Sequence, residues 1–177
     1  MARLFALPFL LVFACLLAGI YGMIHNQISY TVGPDYFHAF KFHQFSIAEA
    51  LPYRVGAAIV GWRASWWMGL VIGVPIAAVS LAMPTARQMI TAFLRASLLI
   101  VGITLALGVA SLLVPVDPAQ FHHFRVPPDV TDVPGFVRAG LMHNTSYFAG
   151  MIGLGAGVIY VIVAVIRARR SAGKTVS

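Results

Sequence analysis

Four long apolar stretches alternate with more polar segments along the chain. They cover about residues 4–24, 64–83, 96–114 and 147–166, and each is nearly free of charge. A helix rises 1.5 Å per residue, so about 20 apolar residues cross the roughly 30 Å hydrocarbon layer of a membrane. A core helix of a soluble protein would show a polar face instead. The pattern predicts an all-α membrane protein with four transmembrane helices in a bundle, as one domain over residues 1–177.

Two long polar segments, 25–51 and 115–134, separate these stretches and predict local structure of their own. Residues 28–32 have strand-like composition, and residues 33–35 form a turn into a helix with Pro34 at its first position. Ser46 and Glu49 match a capping box that would start the helix leading into the second stretch. Pro75 should bend that helix, since proline removes a backbone hydrogen bond. The fourth helix is expected to begin near Gly135.

Charge distinguishes the two ends of the predicted bundle. The five acidic residues and six histidines lie in or beside the two long polar segments, with His143 one turn into the fourth helix. The opposite ends carry only basic residues: Arg3, Arg87, Arg95, Arg167, Arg169, Arg170 and Lys174. Because basic residues beside short loops are retained in the cytoplasm, the chain is predicted to lie in a bacterial inner membrane with both termini cytoplasmic. The long segments then form an ordered periplasmic cap.

Composition excludes several classes of function. Hydrophobic residues make up 60% of the chain, charged residues 10%, and the mean hydropathy is +0.87, which is outside the range of soluble globular proteins. The pI of about 10.2 reflects basic residues at membrane-flanking positions, not a stripe that could track phosphates. No nucleic-acid partner is therefore predicted.

The single cysteine, Cys15, lies inside the first apolar stretch, so no disulfide can form within the chain. Residues 12–15 are similar to a lipoprotein cleavage box, but the apolar run continues to Ile20, which favours an uncleaved membrane helix. A cleaved signal peptide is the alternative, because the start of the chain is typical of one.

The first polar segment is unusually aromatic. A run this apolar is expected to pack on the helix ends or lie in the membrane interface. Arg63 and the tryptophans beside it predict an interfacial belt, whereas an Arg63 facing the bundle interior would be functional by default. The predicted interface and cap residues are Tyr36, Phe37, Phe40, Phe42, Phe45, Arg63, Trp66 and Trp67.

The histidines raise a metal hypothesis. His25 and His143 are expected at similar depth, and the third predicted ligand, for copper, zinc or iron, is His43 or else one of His122 and His123. The competing interpretation is structural, because histidine avoids hydrocarbon and must lie in some loop. No HxxxH or HxxEH spacing places two ligands on one helical face. Ser146 near His143 does not suffice for a catalytic dyad.

Four strings carry a family resemblance: residues 24–32 (IHNQISYTV), 34–37 (PDYF), 40–45 (FKFHQF) and 64–69 (ASWWMG). They resemble an uncharacterised family of small bacterial four-helix inner-membrane proteins. The resemblance covers the first half of the chain and implies no established activity. It implies that the first polar segment and the tryptophan pair form one unit.

The leading functional prediction is a non-enzymatic accessory or binding protein with an aromatic and histidine-rich periplasmic face. The alternative is a metal-dependent redox or hydrolytic membrane protein that uses the same histidines. Expected partners are the lipid bilayer and either another membrane protein or a second copy of the chain. Glycines four residues apart, Gly69 with Gly73 and Gly153 with Gly157, favour close packing within the chain over a dimer motif.

Overall fold

The computed structural model describes residues 2–117 and 125–174, and all regular structure in these two ranges is helical. A π-helical turn, Phe37–Lys41, joins α2 to α3, and a 3₁₀ turn, Ser111–Leu113, follows α6. The α-helices are α1 (Ala2–Val32), α2 (Pro34–Tyr36), α3 (Phe42–Gln44), α4 (Tyr53–Ser65), α5 (Met68–Ser80), α6 (Ala86–Ala110) and α7 (Val133–Lys174). The all-α prediction is confirmed for these residues.

Three helices, α1, α6 and α7, are long and apolar enough to cross a membrane. The pair α4 and α5 qualifies as a fourth span if its two halves, which meet at a 42° bend, are taken together. We call the end of the helices near His25 and His143 the histidine end, and the end near Arg3 and Arg169 the arginine end.

The bend between α4 and α5 lies at Trp66 and Trp67, and a further bend at Pro75 within α5 stays a prediction. Here the Gly69 N–H donates to the Trp66 carbonyl at 3.1 Å, and the Leu70 N–H donates to the Trp67 carbonyl at 3.0 Å. These bonds span three residues instead of four, which tightens the turn and changes the helix direction. Pro75 lies within α5.

The strand-like residues 28–32 continue α1, so that prediction was wrong. α1 ends only at Val32, and the Gly33 N–H still donates to the Ser29 carbonyl at 3.0 Å. A lone strand would leave its backbone groups without partners, whereas a helix pairs them internally. His25 therefore lies two turns inside α1 and does not end it. The predicted helix start at Pro34 is confirmed.

The predicted capping box at Ser46 was also wrong. Ser46 has φ of 49° and lies in a turn, and the next helix begins only at Tyr53. A helix from Ser46 would hold Pro52 in its interior, where the ring clashes with an earlier carbonyl and no N–H is available. The same motif works at Thr85, whose Oγ1 accepts from the Gln88 N–H at 3.2 Å and caps α6.

Two apolar cores organise the packing. The larger joins α1, α5, α6 and α7 through buried side chains that include Leu10, Ile76, Phe93 and Val161. The smaller lies at the histidine end and packs the aromatic segment against α4 and α7. Its buried members are Tyr36, Phe37, Ala57, Val60, Phe136, Val137 and Ala139.

Glycines allow the closest helix contacts. A Cβ added to Gly61 of α4 would lie only 2.2 Å from the Gly22 carbonyl oxygen of α1, so a side chain is excluded where these helices cross. Gly69 approaches the Cys15 backbone, and Gly153 and Gly157 pack on Ile100. These glycines therefore mediate contacts within the chain, as the sequence favoured.

Candidate functional site: a polar chain beside a cavity

Polar side chains recur at helical spacing on one face of each of two apolar helices. Tyr21 and His25 are four residues apart in α1, while His143, Ser146 and Tyr147 are three and four apart in α7. Residues at these spacings lie on the same face of a helix. The packing of α1 and α7 turns the two faces toward each other, since Ser146 contacts both Tyr21 and His25.

A chain of hydrogen bonds joins these faces and reaches α4. The Tyr21 hydroxyl lies 2.9 Å from Ser146 Oγ, which lies 2.8 Å from His25 Nε2. His25 Nδ1 lies 3.4 Å from Asn26 Oδ1, and Asn26 Nδ2 donates to the Ala57 carbonyl at 3.1 Å. His25 is 2% exposed and Asn26 3%. Loss of its partner costs a buried polar group about 1–3 kcal/mol. Substitutions in this chain of hydrogen bonds should therefore lower the free energy of unfolding.

The orientation of the Asn26 amide follows from its partners. The Ala57 carbonyl can only accept, so the Asn26 amide nitrogen faces it and Oδ1 faces the His25 ring. In the tautomer with the ring proton on Nδ1, His25 donates to Asn26 Oδ1 and its Nε2 accepts from the Ser146 hydroxyl. The Tyr21 hydroxyl then donates to Ser146 Oγ. In this tautomer the ring nitrogen without a proton is bonded to a serine hydroxyl.

A cavity of about 70 Å³ lies beside this chain of hydrogen bonds, between α1, α6, α7 and the α4–α5 pair. About 10–15 Å³ suffices for one water molecule, so several waters or a small chemical group would fit. In each helix the polar lining residues lie toward the histidine end and the apolar ones toward the arginine end. The lining consists of Ala18, Tyr21, His25, Asn26, Ser65, Met68, Ile72, Ile100, Val101, Thr104, His143, Ser146, Tyr147 and Gly150.

A second, apolar cavity of about 40 Å³ continues the first toward the arginine end. The two share five lining residues: Ala18, Met68, Ile72, Ile100 and Val101. The second is also lined by Leu17, which like Val101 is only half-buried, so this space reaches the outer surface of the helices. The combined space is polar at one end and apolar at the other.

His143 and Ser65 are the polar side chains of the cavity lining that have no hydrogen-bond partner among the described residues. The His143 ring packs edge-on against Tyr147, with centroids 5.1 Å apart, and lies 6.0 Å from the Tyr36 ring. The described ranges, 2–117 and 125–174, contain no hydrogen-bond partner for either ring nitrogen. His143 can therefore bond a molecule held in the cavity.

Two ionisable residues, Lys41 and Asp35, make side-chain contacts at the histidine end around this site. Lys41 is 7% exposed, and its Nζ donates to Gln44 Oε1 at 2.9 Å and lies 4.5 Å from the centre of the Phe40 ring. Burial lowers the pKa of Lys41 to about 8. Asp35 accepts from the Thr131 N–H at 2.7 Å, from Thr131 Oγ1 at 2.9 Å and from the Asp132 N–H at 2.8 Å. These donors lower the pKa of Asp35.

The three predicted metal ligands do not share one site. His25 and His143 line the same cavity, but His43 is exposed and lines a different one, with His38 and Glu49. Within residues 2–117 and 125–174, no three His, Cys, Asp or Glu side chains converge on a position that could hold a metal ion. The alternative third ligands, His122 and His123, lie outside the described residues. Binding of copper, zinc or iron by His25 and His143 stays a prediction.

The predicted interface residues divide into two groups. Tyr36 and Phe37 are buried in the smaller core, and Phe42 and Phe45 are half-buried beside it. Phe40, Trp66 and Trp67 are 39%, 42% and 44% exposed. Arg63 is exposed and donates to the Phe45 carbonyl at 2.8 Å, so it does not face the interior and it ties the aromatic segment to α4.

Sequence reasoning missed Tyr21, Asn26 and the role of Ser146. It weighed Ser146 against His143 of its own helix, whereas the hydrogen bond goes to His25 of α1. The available signal was the four-residue spacing of Tyr21 and His25, together with the polar face of α7 within an apolar helix.

Comparison of the chain with protein-family models, curated proteins and solved structures finds no match.

Proposed function

We propose that this protein binds a membrane-soluble amphiphile with an uncharged, hydrogen-bonding headgroup, such as a carbonyl or hydroxyl compound with an apolar tail. The observation that supports this most is His143, a polar side chain without a hydrogen-bond partner among the described residues, in a cavity that shares five lining residues with an apolar one. Among the residues that the structure describes, no charged side chain lines either cavity, so a charged headgroup would be poorly compensated there.

The shape of the space favours this class of ligand over a small polar solute. The headgroup would lie between His143 and the Tyr21–Ser146 pair, where donors and acceptors are already oriented. The tail would follow the apolar cavity past Leu17 and Val101 to the surface of the helices. Mostly apolar pockets with a few convergent polar groups are typical of small-molecule sites.

The proposal includes the topology expected from charge. On that view four spans form a bundle in a bacterial inner membrane, with both termini in the cytoplasm and the histidine end at the periplasmic surface. The headgroup would then lie near the periplasmic interface, and the tail would extend toward the middle of the membrane. The protein would act as an accessory or binding protein for this molecule.

The test is the lipid content of protein purified in mild detergent, measured by mass spectrometry of solvent extracts. Gly150→Leu should fill the cavity, because a Cβ at Gly150 meets only Ile72 Cδ1, at 3.7 Å, and the larger side chain extends into the empty space. His143→Phe keeps an aromatic ring but removes the ring nitrogens that would bond the headgroup. One amphiphile should co-purify with the wild type and fall about tenfold in both variants, equivalent to about 1.4 kcal/mol of binding.

Gly155→Leu is the matched control, since Gly155 is exposed on the same helix and nothing lies within 4 Å of an added Cβ. It should retain the amphiphile at wild-type level. Equal lipid content in the wild type, Gly150→Leu and His143→Phe would rule out a ligand in this cavity.

A hydrolytic activity is the second candidate, supported by the alignment of Ser146, His25 and Asn26. Ser146 Oγ would attack the carbonyl carbon of an ester while His25 Nε2, 2.8 Å away, takes its proton. The ester C–O bond breaks, the alcohol leaves with that proton, and water then releases the acyl group from Ser146 as a carboxylic acid. The Tyr21 hydroxyl, 2.9 Å from Ser146 Oγ, is the donor available to the developing oxyanion.

A fluorophosphonate probe distinguishes the two candidates. A hydrolase should be labelled at Ser146, and labelling should be lost in both Ser146→Ala and His25→Phe but kept in Ser171→Ala, which changes an exposed serine of the same helix. Wild-type protein that retains the amphiphile and takes up no probe is a binding protein and not a hydrolase.

A further inference from the structure

A separate open cleft lies at the arginine end, between the first turns of α6 and the last part of α7. Its volume is about 520 Å³. One wall carries Arg87, Thr91 and Arg95 of α6, and the opposite wall is formed by Tyr160, Ala164 and Ala168 of α7. The cleft thus combines two guanidinium groups on one wall with a largely apolar opposite wall.

The spacing of the basic residues places both on one face of α6. Arg87, Thr91 and Arg95 follow one another at intervals of four residues, so they form a row along the helix. Eight residues correspond to a rise of about 12 Å. Two arginine side chains that start this far apart can converge on one anionic group opposite Thr91.

The described part of the chain provides no acidic partner for these two arginines. All five acidic residues lie in the segments between α1 and α4 or between α6 and α7, at the other end of the helices. Within the two described ranges, neither Arg87 nor Arg95 makes a hydrogen bond or an ion pair. Both side chains are exposed to the cleft.

Two neighbouring arginines show the contrast. Arg3 donates from Nη1 to the Leu81 and Met83 carbonyls at 3.1 and 2.6 Å, and Arg169 donates from Nη2 to the Ala82 carbonyl at 3.1 Å. Both thereby cap the carbonyl groups that follow α5. These structural roles leave Arg87 and Arg95 as the arginines of the cleft that are free for a ligand.

We infer that this cleft binds the phosphate headgroup of an anionic phospholipid in the leaflet at the arginine end. Arg87 and Arg95 would clamp the phosphate oxygens, because guanidinium groups bond phosphate in a bidentate manner. The acyl chains would lie on the opposite wall, along Tyr160 and Ala164. This largely apolar wall favours a lipid over a free anion. Basic pockets between membrane helices are typical sites for such headgroups.

Delipidated protein in a neutral maltoside detergent provides the test. Phosphatidylglycerol or phosphatidylcholine is added, and bound lipid is counted by native mass spectrometry. The wild type should bind phosphatidylglycerol in preference to phosphatidylcholine, and Arg87→Gln/Arg95→Gln should bind phosphatidylglycerol about tenfold more weakly. The control Arg167→Gln/Arg170→Gln removes two exposed charges of α7 that do not line the cleft, and it should bind as the wild type does.

Three outcomes would overturn the inference. The first is unchanged phosphatidylglycerol binding in Arg87→Gln/Arg95→Gln. The second is an equal loss in the control, which would indicate general attraction to positive charge. The third is displacement of the lipid by inorganic phosphate, which would reassign the cleft to a free anion. The single variants Arg87→Gln and Arg95→Gln, each expected to lose part of the binding, replace the double variant if it does not fold.

Discussion

The crossing of α1 and α4 predicts that Gly61→Ala destabilises the protein although alanine favours helices. The added Cβ would lie 2.2 Å from the Gly22 carbonyl oxygen, whereas ordinary contact begins at 3.4 Å, so the two helices must separate by 1.2 Å (3.4 minus 2.2). The same movement would stretch the hydrogen bond from Asn26 Nδ2 to the Ala57 carbonyl from 3.1 Å to beyond bonding distance. That bond anchors the polar chain of the cavity.

The magnitude follows from three terms. Overpacking costs about 1–3 kcal/mol, and loss of a buried hydrogen bond adds about 1 kcal/mol. The change from glycine to alanine within a helix returns about 1 kcal/mol. The net expectation for Gly61→Ala is a loss of about 1–3 kcal/mol in the free energy of unfolding.

Unfolding by sodium dodecyl sulfate, followed by tryptophan fluorescence, measures this loss, and Trp62 packs at the same crossing against Gly19. Gly102→Ala is the matched control in α6, because nothing lies within 4 Å of its added Cβ. It isolates the effect of helix propensity and should raise the free energy of unfolding by about 1 kcal/mol. If Gly61→Ala and Gly102→Ala unfold at the same concentration of sodium dodecyl sulfate, the close crossing does not stabilise the protein and the reasoning fails.

Two further predictions concern topology and pH. Reporter fusions after Ser177 and within residues 115–134 should report opposite sides of the membrane, because the basic residues cluster at one end of the helices; reports from the same side would refute the proposed orientation. The pKa of Asp35 is lowered in the folded protein, so its contribution to stability is complete above the ordinary value of 3.8 and is lost as the pH falls through the lowered pKa. The thermal midpoints of the wild type and Asp35→Asn should therefore converge at acid pH, and a constant difference, or equal convergence for the exposed Asp129→Asn, would contradict this.

The sequence alone determined that the apolar stretches are helical and how charge is distributed between their ends. In lipid the backbone must satisfy its own hydrogen bonds, so an apolar run of this length has few other options. Local rules also located the helix start at Pro34, where proline fixes the backbone and its missing N–H would be unbonded in any case. These inferences depend on neighbours in sequence, which a single chain displays in full.

Local patterns misled where two of them compete. Ser46 with Glu49 and Thr85 with Gln88 carry the same capping motif, but only Thr85 caps a helix. Pro52 decides between them, since a helix from Ser46 cannot accommodate proline in its second turn. Residues 28–32 favour a strand by composition, yet they extend α1, and the ranges 2–117 and 125–174 contain no second strand that could pair with them.

Only the tertiary structure decided which polar faces meet. Spacing within α7 places Ser146 beside His143. The packing of α1 on α7 instead brings Ser146 into a hydrogen bond with His25, while His143 lines the cavity. That packing depends on how closely helices approach at Gly22, Gly61 and Gly69, and on the direction change at Trp66 and Trp67. Helical periodicity sets the face on which each side chain lies, whereas the partner across the interface depends on the rotation and depth of two whole helices, which many distant contacts set together.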